Sequence, residues 1–154
     1  MVKNIWIFVF SMFLLTSCRK TGIESPCGEQ IDLQLKSNDG FIIGSSGGFS
    51  GAGLGIFKIK NGQLFAVKPK GDSLLSNERF VVANNFTKNF PKSMKVNPNQ
   101  NWTGHCNDTF LFYVEIQSAD GAKQLWGYDS CPETVAPNYA HCYFKKIITD
   151  LFKS

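Results

Sequence analysis

The sequence lacks the glycine-rich motifs by which many enzymes bind a nucleotide. The glycine-rich stretch Gly44–Gly55 (GSSGGFSGAGLG) has no Lys at the position that a phosphate-binding loop requires, and a strand pattern rather than a helix follows it. It also fails the Gly-x-Gly-x-x-Gly spacing, since Ile56 stands where the third glycine is needed. At Ser50 the Gly-x-Ser-x-Gly pattern fails because Ala52 replaces the second glycine. We therefore expect a non-enzymatic protein without a cofactor.

The sequence also has no apolar run long enough to cross a bilayer as a helix, which takes about 20 residues. Its most apolar stretch, Ile5–Leu15 (IWIFVFSMFLL), follows Lys3 and has the length of the core of a secretion signal. The stretch ends in Leu15-Thr-Ser-Cys18, which resembles the lipobox of bacterial lipoproteins. The resemblance implies cleavage before Cys18 and acylation of that cysteine. An ordinary signal peptide is the alternative.

The lipobox divides the chain into three predicted parts. Residues 1–17 form the signal peptide, residues 18–29 a lipidated tether, and residues 30–154 a single domain. No Asp follows Cys18, and by analogy with enterobacterial lipoproteins this favours anchoring in the outer membrane, facing either the periplasm or the cell surface. The net charge of +4 is scattered rather than gathered in a basic stripe, so we expect a monomer that binds no nucleic acid.

Four cysteines follow Cys18, and an even number in an exported domain predicts two disulfides with three possible connectivities. Cys106 and Cys131 flank the open end of a predicted hairpin, so we pair them. Cys27 is then left for Cys142 by elimination. A Cys131–Cys142 pairing stays open.

A zinc site made with His105 or His141 is the alternative use of these cysteines. The sequence contains no Cys-x-x-Cys pair. Each histidine is adjacent to a cysteine, His105 to Cys106 and His141 to Cys142, and neighbouring side chains point apart on a strand or a helix. We therefore expect no metal.

Alternating polarity and turn residues predict a sheet. Period-two patterns run over Gln30–Lys36 and Thr109–Gln117, as is typical of half-buried strands. Asn-Gly at residues 61–62 and Asp-Gly at residues 120–121 predict two hairpins, because these dipeptides accept the positive φ angles of tight turns. The glycine-rich stretch lies between two predicted strands, so it is a junction within the domain rather than a spacer.

Two segments change to a helical period. Ser73–Pro91 predicts a helix capped by Ser73 or Ser76, and a terminal helix is predicted from about Asn138. Lys92–Gly104 is polar and is predicted to be a loop. The predicted fold class is α+β: a single antiparallel sheet of about five strands, including two hairpins, with two helices packed on one face and two disulfides.

One resemblance bears on function. Ser45–Gly51 (SSGGFSG) follows a predicted strand, and later features are a helix ending near Asn84–Pro91, a hairpin containing Asp120-Gly121 and a terminal helix. From about Gln30 to Phe152 this arrangement resembles emfourin, a small bacterial inhibitor of thermolysin-like metalloproteases. The resemblance implies a protein-binding module with a metalloprotease as partner.

The glycine-rich stretch supplies the predicted contact residues. A glycine-rich strand can lay its backbone N–H and C=O groups along an extended cleft, as in strand addition. Phe49 would be the apolar anchor. The partner-binding residues predicted on this basis are Gly47, Gly48, Phe49, Ser50 and Gly51.

Two other functions remain open at this point. A carrier or sensor would hold a small apolar molecule against one face of the sheet, using aromatic residues such as Trp102, Phe112 and Trp126. A purely structural lipoprotein of the cell envelope would need no binding site at all.

Overall fold

A computed structural model describes residues 27–47, 53–104, 106 and 109–153 of the chain. Cys18, the predicted signal peptide and most of the predicted tether lie outside the described residues. Among the helices of the described part, none combines the length and the apolar character needed to span a bilayer.

The described residues form nine strands and three α-helices. The strands are β1 (Gln30–Ile31), β2 (Gly40–Gly47), β3 (Gly55–Lys60), β4 (Gln63–Ala66), β5 (Ser73–Leu74), β6 (Phe90–Pro91), β7 (Gln100–Trp102), β8 (Phe110–Gln117) and β9 (Lys123–Asp129). The helices are α1 (Asn77–Lys88), α2 (Lys92–Val96) and α3 (Asn138–Ile147), and a π-helical turn, Ile148–Phe152, continues α3.

Seven strands form one sheet in the order β5-β4-β3-β2-β8-β9-β7, and β1 and β6 form a separate two-stranded ladder. The α+β class and the two disulfides are confirmed, but the predicted count of about five strands is wrong. The prediction of a wholly antiparallel sheet is wrong as well, because β7 pairs with β9 in parallel. Strands β5 and β7 have two and three residues, too few for an alternation of apolar and polar residues to be recognised. They add one strand at each edge of the sheet.

The predicted strand Gln30–Lys36 is also corrected. Only Gln30–Ile31 pairs, with Phe90–Pro91, and the chain then leaves the extended conformation at Gln34, whose φ is 44°. The N–H of Leu33 donates to the carbonyl of Thr87 at the end of α1. The apolar side chains of this segment still pack against the core, so the alternation indicated burial without a sheet ladder.

Lys92–Gly104 is not a loop throughout, since it contains α2 and β7. Met94 of α2 is fully buried, and the indole N–H of Trp126 donates to the carbonyls of both Met94 and Asn97 at 3.0 Å. These contacts join residues that are far apart in the sequence. The polar composition of the segment alone therefore did not predict the helix and the strand within it.

The helix predicted over Ser73–Pro91 is confirmed for Asn77–Lys88, whereas Ser73–Leu74 and Phe90–Pro91 at its two ends form β5 and β6. Ser76 caps α1 by accepting a hydrogen bond from the N–H of Arg79, and α3 begins at Asn138. Asn61 and Gly62 join β3 to β4 with φ angles of 50° and 70°, the left-handed pair that a type I′ turn requires.

The hydrophobic core lies between one face of the sheet and the helices. Phe112, Val114 and Ile116 of β8 are buried and alternate with residues that retain exposure, and Phe86 of α1 and Phe144 of α3 belong to the same buried cluster. The alternate residues of the strands form the opposite face, which no helix of the described residues covers. We call this the open face of the sheet.

The two disulfides have the predicted pairing. Cys27 is bonded to Cys142, with Cα atoms 5.0 Å apart, and Cys106 is bonded to Cys131, with Cα atoms 5.6 Å apart. The alternative Cys131–Cys142 pairing is therefore wrong. The first disulfide fastens the start of the described chain to α3, and the second fastens the segment before β8 to the end of β9.

Candidate functional site

The predicted contact residues follow the central strand of the sheet. Gly47 is the last residue of β2, the fourth of seven strands, and it lies opposite Phe110 of β8. Its φ of 90° is one that side chains rarely adopt, so glycine is required there. Gly48, Phe49, Ser50 and Gly51 lie outside the described residues. The predicted contact residues, which we call the candidate segment, therefore begin at the last residue of the middle strand of the sheet.

The chain before residues 48–52 contacts the chain after them at Ser45, Gly53 and Leu54. We call these three residues the neck. Ser45 is only 4% exposed, and its hydroxyl oxygen accepts a hydrogen bond of 2.6 Å from the N–H of Leu54. A β-carbon at Gly53 would overlap the carbonyl of Ser45, so this backbone approach needs glycine. The composition of the stretch predicts a strand junction, but no separate role for these three residues. Their pairing across the neck depends on the fold.

A second loop lies beside the neck. The backbone carbonyl of Thr109, next to Phe110, is close to Gly47, and the hydroxyl of Thr109 donates to the carboxylate of Asp129. Asp129 also accepts the N–H of Cys131 at 3.0 Å. Because Cys131 is bonded to Cys106, Asp129 and the disulfide together fix the loop that borders the candidate segment.

Ser46 fits a catalytic pattern in sequence but not in structure. Gly44–Gly48 (GSSGG) matches Gly-x-Ser-x-Gly, with Ser46 at its centre. That pattern presents a nucleophile only at a sharp turn from a strand into a helix. Ser46 instead lies within β2, paired with Leu111, and the chain continues to β3. The match therefore carries no hydrolase geometry.

A metal site finds little to support it in the described residues. Cys106, Cys131 and Glu133 lie close enough to share an ion, but the two sulfur atoms are bonded to each other and so provide no thiolate. His141 pairs through Nδ1 with the hydroxyl of Tyr128 at 2.7 Å. His105 lies outside the described residues.

The aromatic residues of the carrier hypothesis fill the core instead of lining a pocket in it. Trp126 is fully buried and holds α2 through its indole N–H, as described above. Phe112 packs against Phe152 with ring centroids 5.3 Å apart, and Trp102 meets Phe144 edge-on at 6.4 Å. These contacts occupy the sheet–helix interface in which the carrier hypothesis requires free space.

Of the glycine motif Ser45–Gly51 that contributes to the resemblance to emfourin, the structure describes Ser45 to Gly47, which form the end of β2. Comparisons of the chain with protein-family models, with curated proteins and with solved structures found no match.

Proposed function

We propose that the protein is a non-enzymatic, lipid-anchored module of the bacterial cell envelope that binds a protein partner through the glycine-rich end of its sheet. The observation that carries the proposal is the neck, where Ser45 and Leu54 hold the two sides of residues 48–52 together at the end of the central strand. A segment held at both sides loses less conformational freedom on binding than a free one does. Glycine has no side chain to cover the backbone N–H and C=O groups, so the glycines of this segment suit backbone pairing with a partner.

A thermolysin-like metalloprotease is the partner that we propose. The resemblance of Ser45–Gly51 to emfourin motivates this choice, and an extended active-site cleft suits backbone pairing of the strand-addition kind. Phe49 is the one large apolar side chain in the segment, and we assign it the role of the anchor that enters a pocket of the protease.

The oxidised cysteines support a location outside the cytoplasm. Disulfides persist in oxidising compartments such as the bacterial periplasm and the cell surface, and this chain pairs four cysteines in two disulfides. Together with the lipobox at Cys18, they support anchoring in the outer membrane. Several acyl chains on one cysteine give a durable anchor, since each buried methylene contributes about 0.8 kcal/mol.

Inhibition of a purified thermolysin-like protease tests the proposal. The wild-type protein should slow peptide hydrolysis, and Phe49→Ala should weaken inhibition about tenfold or more, because anchor residues carry a large share of binding energy. Val81→Ala is the matched control, since Val81 is an apolar residue, 66% exposed, on α1 in the helical layer. It should inhibit like the wild type.

Full protease activity in the presence of excess wild-type protein, across several thermolysin-like enzymes, would remove the inhibitor function. Equal loss of inhibition in Phe49→Ala and Val81→Ala would show that the glycine-rich end is not the contact surface. Both variants should have the unfolding midpoint of the wild type, and circular dichroism checks this.

The anchor has its own test, independent of the partner. In bacterial cells, Cys18→Ser should leave the precursor uncut, because the lipoprotein signal peptidase requires the acylated cysteine, and the wild type should fractionate with membranes. If Cys18→Ser is instead processed to a soluble mature protein, the N-terminus is an ordinary signal peptide.

A further inference from the structure

Four residues form a row across the open face of the sheet. Gly44 of β2 lies opposite Tyr113 of β8, Tyr113 lies opposite Gly127 of β9, and Gly127 lies opposite Asn101 of β7. Two positions of this row therefore have no side chain. The row is on the side of the sheet away from the helices, because the neighbours of its members in β2, β8 and β9 face the core.

The side chains of the row lean in the same direction and leave a groove. The phenol end of Tyr113 occupies the space above Gly44, and the amide oxygen of Asn101 occupies the space above Gly127. A groove of about 420 Å³ runs along this part of the sheet, with Gly127 at its floor and with Leu111 and Leu125 among its walls. This volume falls within the range of about 300–1,000 Å³ that is usual for small-molecule sites.

The groove offers polar groups that donate and accept hydrogen bonds. Within the described residues, the hydroxyl of Tyr113 and the side-chain amide of Asn101 have no hydrogen-bond partner, and Asn99 uses only its oxygen, which accepts the N–H of Leu125 at 3.1 Å. Burial, and to a smaller extent the nearby carboxylate of Glu115, raises the pKa of Tyr113. Its hydroxyl therefore stays protonated at neutral pH and remains a donor.

The groove is close to electrically neutral. Its one carboxylate, Glu115, lies 3.2 Å from the ammonium group of Lys123 and also accepts a hydrogen bond from the amide of Gln117 at 2.6 Å. The side chains at its β7 edge, Asn99 to Asn101, are amides. Such a lining gives no strong attraction to an anion or a cation, and it suits an uncharged ligand with many hydroxyl groups.

We infer that this groove binds a short neutral saccharide. The hydroxyl groups of a sugar both donate and accept, as the amides and the phenol of the groove do. The C–H face of a pyranose ring is apolar, and Leu111 together with Leu125, which is 44% exposed, gives it a surface to pack on. The inference does not depend on the proposed protease contact, because the groove lies on the open face of the sheet and not at its glycine-rich end.

Calorimetric titration of the full-length lipidated protein in phospholipid nanodiscs tests the inference, with maltose, cellobiose and chitobiose as neutral probes and digalacturonic acid as a charged one. We expect at least one neutral disaccharide to bind at millimolar concentration or below, and the charged probe to bind more weakly. Gly127→Ala should weaken the binding about tenfold. Its added methyl group displaces the flexible end of Asn101, which is a polar lining group of the groove, and Gly127 has no positive φ that alanine would strain.

Leu125→Ala and Leu74→Ala form a matched pair on the open face. Leu125 lines the groove, whereas Leu74, which is 59% exposed, lies on β5 at the opposite edge of the sheet. Leu125→Ala should weaken saccharide binding and Leu74→Ala should leave it unchanged. No binding of any neutral probe, equal binding of the charged probe, or unchanged binding in a folded Gly127→Ala protein would each overturn the inference.

Discussion

Ser45 and Ser46 are adjacent in the sequence but face opposite sides of β2. The hydroxyl of Ser45 is buried against the N–H of Leu54, whereas Ser46 is exposed. Within a motif of small residues, the position on the strand therefore decides which serine holds the neck. The same alternation separates Gly44, which is covered by Tyr113, from its neighbours in the core.

Ser45→Ala should lower the free energy of unfolding by about 1–3 kcal/mol, because it leaves the N–H of Leu54 without its acceptor in a partly buried place. Ser46→Ala is the matched control and should change this free energy by less than about 0.5 kcal/mol, as surface substitutions usually do. Urea denaturation measures both values. Equal effects of the two substitutions would show that the neck does not depend on the hydroxyl of Ser45.

Tyr143 should make the free energy of unfolding decrease as the pH rises into the alkaline range. Its hydroxyl donates to the carbonyl of Phe86 at 2.9 Å inside the core, and burial raises the pKa of Tyr143 well above the ordinary value of 10.0. Above about pH 10 the unfolded chain loses this proton while the folded protein keeps it, so the free energy of unfolding should fall by up to about 1.4 kcal/mol per pH unit.

Below about pH 10 the contribution of Tyr143 to stability is complete. Short thermal unfolding scans between neutral pH and about pH 11 measure the decline, and Tyr143→Phe should reduce its slope. An unchanged slope in Tyr143→Phe would assign the decline to other groups.

At the scale of elements, the connection between β3 and β4 gives the clearest relation between sequence and structure. Gly62 has a φ of 70°, and a β-carbon there would meet nothing within 4 Å. Gly62→Ala should therefore cost about 1 kcal/mol of stability through backbone strain alone. Gly40→Ala is the control, because its φ is not positive and its added carbon meets neighbours at 3.5 Å or more.

Chemical denaturation of the two glycine variants measures the difference. A loss of stability in Gly62→Ala with none in Gly40→Ala assigns the cost to the positive φ. Equal stability of the two variants would contradict the assignment of a type I′ turn.

The elements that the sequence predicted correctly are those set by local chemistry. Asn61-Gly62 determines a turn, the alternation of Phe110–Gln117 determines a buried face, and Ser76 determines the start of a helix. The short strand β7 could not be predicted, because its three residues have no period of their own. Its place depends on the parallel pairing with Trp126–Tyr128, more than twenty residues away along the chain.

The strand junction in the candidate site was also predictable from local composition, whereas the contacts around it were not. The composition of Gly44–Gly55 indicated a glycine-dependent strand junction, but not the contact of Ser45 with Leu54 that forms the neck. The groove was not predictable, since it depends on the register that places Gly127 between Tyr113 and Asn101. Register of this kind follows from the packing of the whole sheet.

At the scale of the whole molecule, two disulfides close loops of different length. Cys27 and Cys142 are separated by 115 positions, and Cys106 and Cys131 by 25. Restriction of the unfolded chain then predicts stabilisation of about 4.8 kcal/mol for the first and about 3.5 kcal/mol for the second. Replacing both cysteines of a pair with alanine should therefore cost more stability for Cys27–Cys142.

Equilibrium denaturation of the two double variants tests this order. A larger loss for the Cys106–Cys131 pair would contradict the chain-entropy account. It would show that the loop beside the neck depends on its disulfide for native contacts, among them the hydrogen bond of Asp129 with Cys131.

The molecule as a whole presents two separate surfaces on one scaffold. The helices cover one face of the sheet and bury the core, and the other face carries the groove over Gly127. The proposed contact segment begins at Gly47, the last residue of the central strand β2. The control variants, Val81→Ala on α1 and Leu74→Ala on β5, lie outside both surfaces.

Hydrogen exchange of the protein in complex with a catalytically inactive thermolysin-like protease tests the central claim most directly. We predict slower exchange of the backbone amides of residues 48–52, because these groups would pair with the protease. Exchange around Gly127 should not change. An unchanged exchange pattern at the glycine-rich end, or protection confined to another surface, would contradict the proposal that this end of the sheet binds the partner.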